Sequence, residues 1–164
     1  MRILNLLLIT VLFSLSGMLP FSAYAADSAI KVTSIAEVEI EVSGAGGKKL
    51  QRKSVERAVP GTEVIYTNTF QNTLKKPAGN IVIDNAIPND SEYKAGSSFG
   101  KNCDIQFSVD GGKTFRHAED LKVKDMEGKE RTALAREYTN IRWTYKGQLA
   151  PGKSGEVGFR ATIK

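Results

Sequence analysis

The chain has 164 residues, of which 41% are hydrophobic and 25% charged, and a formal net charge of +5. This length suits one domain with a real core, and so mild a charge excess fits a solvated surface better than a nucleic-acid groove. The single cysteine, Cys103, excludes an intramolecular disulfide, and the single histidine, His117, excludes a multi-histidine zinc site.

Met1-Arg2 is a short basic start, Ile3 to Leu15 is almost wholly apolar, and Ala23-Tyr24-Ala25 places small residues where a signal peptidase reads them. This pattern predicts a secretory signal peptide over residues 1–25, cleaved after Ala25. The run is short for a membrane span of ~20 residues, and Pro20 interrupts its end, which argues against an uncleaved anchor. Cleavage would leave 139 residues, 26–164, with a formal charge of +4. No second apolar run follows, so no stable membrane insertion is expected after cleavage. Export to the periplasm, the cell surface or the medium is the expected destination, and it too argues against a nucleic-acid partner.

Period-two alternation dominates the mature chain. Val38, Ile40 and Val42 alternate with Glu37, Glu39 and Glu41, the pattern of a half-exposed strand. Gly44-Ala45-Gly46-Gly47 reads as a loop, and Leu50 to Val59 as a second strand. Further strands are expected over Thr62 to Asn72, Gly79 to Ala86, Cys103 to Val109, Ile141 to Lys146 and Glu156 to Ile163. Turn residues separate them: Pro60-Gly61, Pro88-Asn89-Asp90, Asp110-Gly111-Gly112 and Pro151-Gly152. Arg131 to Tyr138 is expected to form one or two helical turns. Several short strands spaced in this way argue for an antiparallel sandwich or barrel. The core is expected around Val64, Tyr66, Ile81, Ile83, Phe107, Trp143, Val157 and Phe159. On the strand from Cys103, the cysteine shares one face with Ile105, Phe107 and Val109, which points its thiol inward. The alternative is a reactive or cross-linking thiol.

One stretch has the form of a functional motif. Ser108-Val109-Asp110-Gly111-Gly112-Lys113-Thr114-Phe115 matches the Asp-box pattern Ser-x-Asp-x-Gly-x-Thr-aromatic, which recurs in sialidases and other secreted sugar enzymes. Every residue of it has a structural task. Asp-Gly and Gly-Gly suit the positive dihedrals of a hairpin turn, and the Asp110 carboxylate can accept backbone N–H bonds within the turn. Ser108, Asp110, Gly112, Thr114 and Phe115 are therefore read as a structural turn.

Nothing else in the sequence assembles a catalytic centre. A glycosidase needs two carboxyl groups across the scissile bond, and Asp84, Asp90, Glu92, Asp104, Glu119 and Asp120 qualify by residue type alone. Arg52, Arg57, Arg116 and Arg142 are too scattered to predict a carboxylate clamp. A Cys103–His117 nucleophile pair is opposed by the inward facing of Cys103. Gly44-Ala45-Gly46-Gly47-Lys48 lacks the spacing of a phosphate loop. Asp84, Asn85, Asn89 and Asp90 offer oxygen ligands for calcium but match no known loop. No cofactor, metal or catalytic residue is assigned. Lys48, Lys49, Arg52 and Lys53 form the one charge cluster, read as a solvated hairpin edge or as a contact with an anionic envelope surface.

With strands and turns placed, the chain resembles a bacterial conserved-repeat domain of unknown function, the eleventh of that series. The residues that carry the resemblance are VPGTEVIYTNTFQN (Val59 to Asn72), AGNIVIDNAIP (Ala78 to Pro88), Tyr93 with Gly96-Ser97, IRW (Ile141 to Trp143) and LAPGKSGEVGFRATI (Leu149 to Ile163). It covers about 59–163. It implies an immunoglobulin-like β-sandwich of exported and surface proteins, with no established enzyme activity and no catalytic residues to carry over. The family often occurs in tandem, whereas one copy follows the leader here, and His117 to Asn140 is a longer insertion. The expected molecule is an exported, non-enzymatic all-β sandwich over residues 26–164, a structural or protein-binding module of the cell envelope. Its expected partner is a protein or other envelope component, met by surface complementarity or by strand addition at an open edge. One alternative is a carbohydrate-binding or sugar-active protein with a groove near Phe115 and Trp143. The other is a calcium-stabilised adhesion module.

Overall fold

The computed structural model describes residues 29–44 and 47–164, and the expected leader lies outside the described residues. Eleven strands are present among the described residues. They are β1 (Ile30–Gly44), β2 (Gly47–Ser54), β3 (Glu63–Asn72), β4 (Val82–Ala86), β5 (Ser91–Tyr93), β6 (Phe99–Gly100), β7 (Cys103–Ser108), β8 (Lys122–Lys124), β9 (Glu130–Thr132), β10 (Asn140–Tyr145) and β11 (Ser154–Ile163). Short 3-10 turns occupy Ala118–Asp120 and Ala135–Glu137. One sheet runs β2-β1-β3-β11-β5, with β6 also on β11; the other runs β4-β10-β7, and β8 and β9 form a separate hairpin. The pairings between these strands are antiparallel. The chain is an all-β sandwich, as its alternation predicts.

Alternation sets the faces. Val157, Phe159 and Ala161 on β11 lie opposite Asn68, Tyr66 and Val64 on β3, and all project toward the second sheet. From that sheet, Ile141 and Trp143 on β10, Ile83 on β4 and Phe107 on β7 project back. Phe70, Ile141, Trp143, Val157, Phe159 and Ala161 are essentially removed from solvent. Seven of the eight expected core residues are buried, and the eighth, Tyr66, is half-buried with its ring stacked on Phe159 at 5.1 Å. The Pro60-Gly61 and Pro151-Gly152 turns form where expected, with Thr62 N–H donating to Val59 C=O and Lys153 N–H to Ala150 C=O. Gly158 allows a close approach: Phe99 and the Tyr66 carbonyl occupy the space a side chain would need.

With β2, β6 and the β8–β9 hairpin set aside, the order differs in one respect from the immunoglobulin constant type, ABED over CFG. Taking β1, β3, β4, β5, β7, β10 and β11 as seven strands in chain order, the sheets run first-second-seventh-fourth and third-sixth-fifth. The last strand holds the central place that the fifth holds in that type.

Three expectations need correction in part. The second strand is Gly47–Ser54, not Leu50 to Val59: Val55 N–H bonds back to Ala36 C=O and the chain then leaves the sheet. Arg131 to Tyr138 holds one helical turn, and its start is strand. Arg131 and Thr132 belong to β9, and Ala135–Glu137 is one 3-10 turn, held by Arg131 donating to Glu137 and by Glu137 accepting the Leu134 N–H. Cys103 does face the core with Ile105, Phe107 and Val109, but it is half-buried rather than enclosed. Burial pushes its thiol above the ordinary value.

β1 is the longest element, at 15 residues, and serves two structures. Ile30 to Glu37 pairs with β3, and Glu37 to Gly44 pairs with β2 on the opposite edge. The second half and β2 form a two-stranded arm. Arg160 secures its base, donating to Glu39 at 2.9 Å and to Glu63 at 2.8 Å.

Candidate functional site

The Asp box is closed upon itself. Asp110 Oδ1 accepts from Ser108 Oγ (2.7 Å), Lys113 N (3.0 Å) and Thr114 N (2.9 Å), and Oδ2 accepts from Thr114 Oγ1 (2.7 Å). These bonds, the Thr114 amide foremost, hold the carboxyl well below the usual carboxylate range. Gly111 and Gly112 sit at φ of 74° and 83°, where a Cβ would be strained. Phe115 is under the Arg142 guanidinium, 3.8 Å from its ring centroid, and Arg142 makes a two-pronged pair with Asp84 at 2.7 and 2.8 Å. The box is thereby stapled across β10 to β4, and one face of its aromatic ring is occupied.

A groove of about 760 Å³ runs beside the box, lined by Gln106, Phe115, Arg116, His117, Asp120 and Glu130 among others. Trp143 is not part of it: the indole is fully enclosed in the core, as the core reading expects, which rules out the alternative Phe115–Trp143 platform for a sugar ring. Of the six candidate carboxylates, only Asp120 lines this groove. Asp84 is held by Arg142, and Asp104 lies 3.1 Å from Lys146 and 3.7 Å from His117. Among the described residues no group of three or more His, Cys, Asp or Glu is arranged to hold a metal.

The basic run is divided between the two faces of the arm. Lys48 pairs with Glu41 at 2.6 Å and Arg52 lies 3.6 Å from Glu39. Lys49 and Lys53 stand on the other face, opposite Val42 and Val38. Lysines along this outer strand oppose pairing with a further strand.

The flanks of the sandwich, where the two sheets end, are unlike one another. Beside β5, β6 and β7, the insertion closes the gap. Phe107 and Tyr138 rings meet at 4.6 Å, Tyr93 lies 5.5 Å from Phe107, and the 3-10 turns add Ala118 and Ala135. The edge of β7 is also engaged there, since Phe107 and Arg116 exchange both backbone bonds at 2.8 and 3.0 Å. A shallow apolar hollow of about 370 Å³ remains.

Beside β1 and β4 the sandwich is open among the described residues. A groove of about 530 Å³ is lined by Ala29, Ile30, Val32, Ala78 and Ile81 to Ile83. Val32 and Val82 are 46% and 48% exposed, high for apolar strand residues. Backbone polarity follows from the register. Ala29 C=O accepts from Thr73, on the β3 side, whereas Ala36 C=O accepts from Val55, on the opposite side. Alternation then directs the N–H and C=O of Val32 and Ser34 to the side away from β3, where no partner strand lies among the described residues. On β4, Ile81 C=O and Ile87 N–H bond toward β10, which turns the backbone of Val82, Asp84 and Ala86 to its free edge. The rim is held firmly. Asn72, fully buried, donates to the carbonyls of Lys76 (2.9 Å) and Leu149 (2.8 Å) and accepts from Leu74 N–H (2.9 Å).

Sequence reasoning misses this open flank. Ser34 on the inward row and Ile35 on the outward row break the alternation that Ile30 and Val32 begin, so the first half of β1 leaves only a short period-two signal. No family model matches this chain, and no curated protein matches it. No helix among the described residues is long and apolar enough to cross a membrane.

Proposed function

We propose that this chain is an exported, non-enzymatic, immunoglobulin-like binding module of the bacterial cell envelope, which takes an extended segment of another protein as an added strand along β1. The observation that carries the reading is the open β1–β4 flank, where an apolar groove lies beside the outward backbone groups of Val32 and Ser34. An incoming strand would bond to these groups and set alternate side chains into the groove beside Val32. The other edges are less suited. β2 is lined with lysines and arginine, β5 has three residues, and β7 is bonded by Arg116. The leader-like pattern of residues 1–25 and the resemblance over 59–163 supply the export and the envelope setting.

Hydrogen exchange of the mature protein with and without its own envelope extract tests this. A bound strand protects the amides of Val32 and Ser34 and leaves Thr33 and Ile35, already bonded to β3, unchanged. Val32→Pro removes an edge donor without touching the β3 ladder, a place where proline is tolerated, and is expected to abolish that protection. Extract that protects the Asp-box groove instead would overturn the reading. It would favour a sugar-binding protein, which the mixed polar lining of that groove supports and which a glycan array would then identify.

A further inference from the structure

Given strand addition at β1, the charge around the groove selects the partner. Lys31 follows Ile30 on β1, exposed on the outer face. Lys75 and Lys76, also exposed, lie in the turn that Asn72 ties to the same end of the groove, next to Ala29. None of the three has an ion pair among the described residues. On β4, Asp84 is already paired with Arg142. Among the described residues the Ala29 end is therefore basic, while the floor is formed by Ile30, Val32, Ile81 and Ile83.

We infer that the occupant is an acidic extended segment of a partner protein: apolar side chains at alternate positions facing the groove, and Asp or Glu on the outward positions that pass Lys31, Lys75 and Lys76. The alternation follows from the pleat, since a strand added to β1 shares its faces. Inward positions meet Val32, and outward positions meet the row Lys31, Thr33 and Ile35. Glu37 ends that row, so acidic groups are favoured at the Lys31 end and apolar or basic ones beyond Ile35.

Two end-capped peptides separate this inference from the reading on which it rests: Glu-Val-Thr-Val-Glu-Val and Lys-Val-Thr-Val-Lys-Val. Each is titrated into the mature protein at low salt, with the Val32 and Ser34 amides followed by NMR. The acidic peptide is expected to bind about tenfold more tightly than the basic one, since its two exposed charge pairs become like-charge contacts in the basic peptide. The triple variant Lys31→Glu, Lys75→Glu, Lys76→Glu is expected to invert that order, and Val32→Pro to bind neither. Equal binding of both peptides, or a preference unchanged in the triple variant, would overturn the acidic partner and leave strand addition standing. If neither peptide perturbs Val32 and Ser34, both the inference and the reading fall.

Discussion

On the flank beside β7, three aromatic rings and two 3-10 turns from the insertion fill the space between the sheets. On the flank beside β4, Val32 faces a groove that no described residue covers. Both flanks pose the same physical problem, since sheet edges leave backbone groups and apolar side chains half in water. On one side the insertion supplies a cover, together with the Arg116 backbone just before it. The other side keeps a rigid rim, fixed by Asn72, around an uncovered floor. Rigidity without cover is the combination that a preformed binding groove requires.

Substitutions on the two flanks should differ in cost. Trp143, enclosed between the sheets, should destabilise by ~3–5 kcal/mol on replacement by alanine, and Phe107 on the closed flank by a comparable amount. Denaturant titration measures both, and native Trp143 emission should be short in wavelength and resistant to iodide. Val32→Ala should cost under ~1 kcal/mol, because so little of that side chain is buried. An equally large loss at Val32 would mean that the open flank is covered in solution.

Asp110→Ala should lower the melting temperature clearly, since four hydrogen bonds within the box lose their acceptor. Binding at the open flank should persist at low temperature. A folded variant that no longer binds would show that the Asp box and the open flank are coupled rather than independent.

A smaller effect concerns acid. Asp110 and Glu137 both titrate below their ordinary values, Glu137 at about 2 through its bond from Arg131. A carboxyl whose folded value is depressed adds stability above its unfolded value, and that stability is lost as pH falls toward the folded one. The melting temperature should therefore drop from about pH 4.5 downward, with the insertion loosening as Glu137 approaches protonation. Amide exchange resolved by residue would show whether β8 and β9 yield before β1. The smallest effect is at Cys103, which a thiol reagent should label slowly in the native protein and quickly in denaturant. Rapid native labelling would show that the β7 edge opens on its own.

What could be read from the sequence divides along the same line. Strands packed on both sides of the core, such as Val157 to Ile163 and Ile141 to Tyr145, announce themselves because one face must stay dry and the alternation is strict. The Asp box is equally legible, since its hydrogen bonds are local and its glycines mark the turn. The open groove is not, because it arises where Val32 and Ala78, far apart along the chain, come to one rim. Neither neighbourhood has a local pattern that signals the other. β5, β6, β8 and β9 escape detection for another reason: strands of two or three residues carry too few positions for a period.

The course of β1 is undivided. The strand runs on from Glu37 to Gly44, roughly 23 Å at strand rise, with no break between that stretch and the part that borders the groove. Arg160 clamps the junction through Glu39 and Glu63. The hairpin and the groove edge at Val32 therefore share one continuous strand, joined through the Arg160 clamp rather than by a linker.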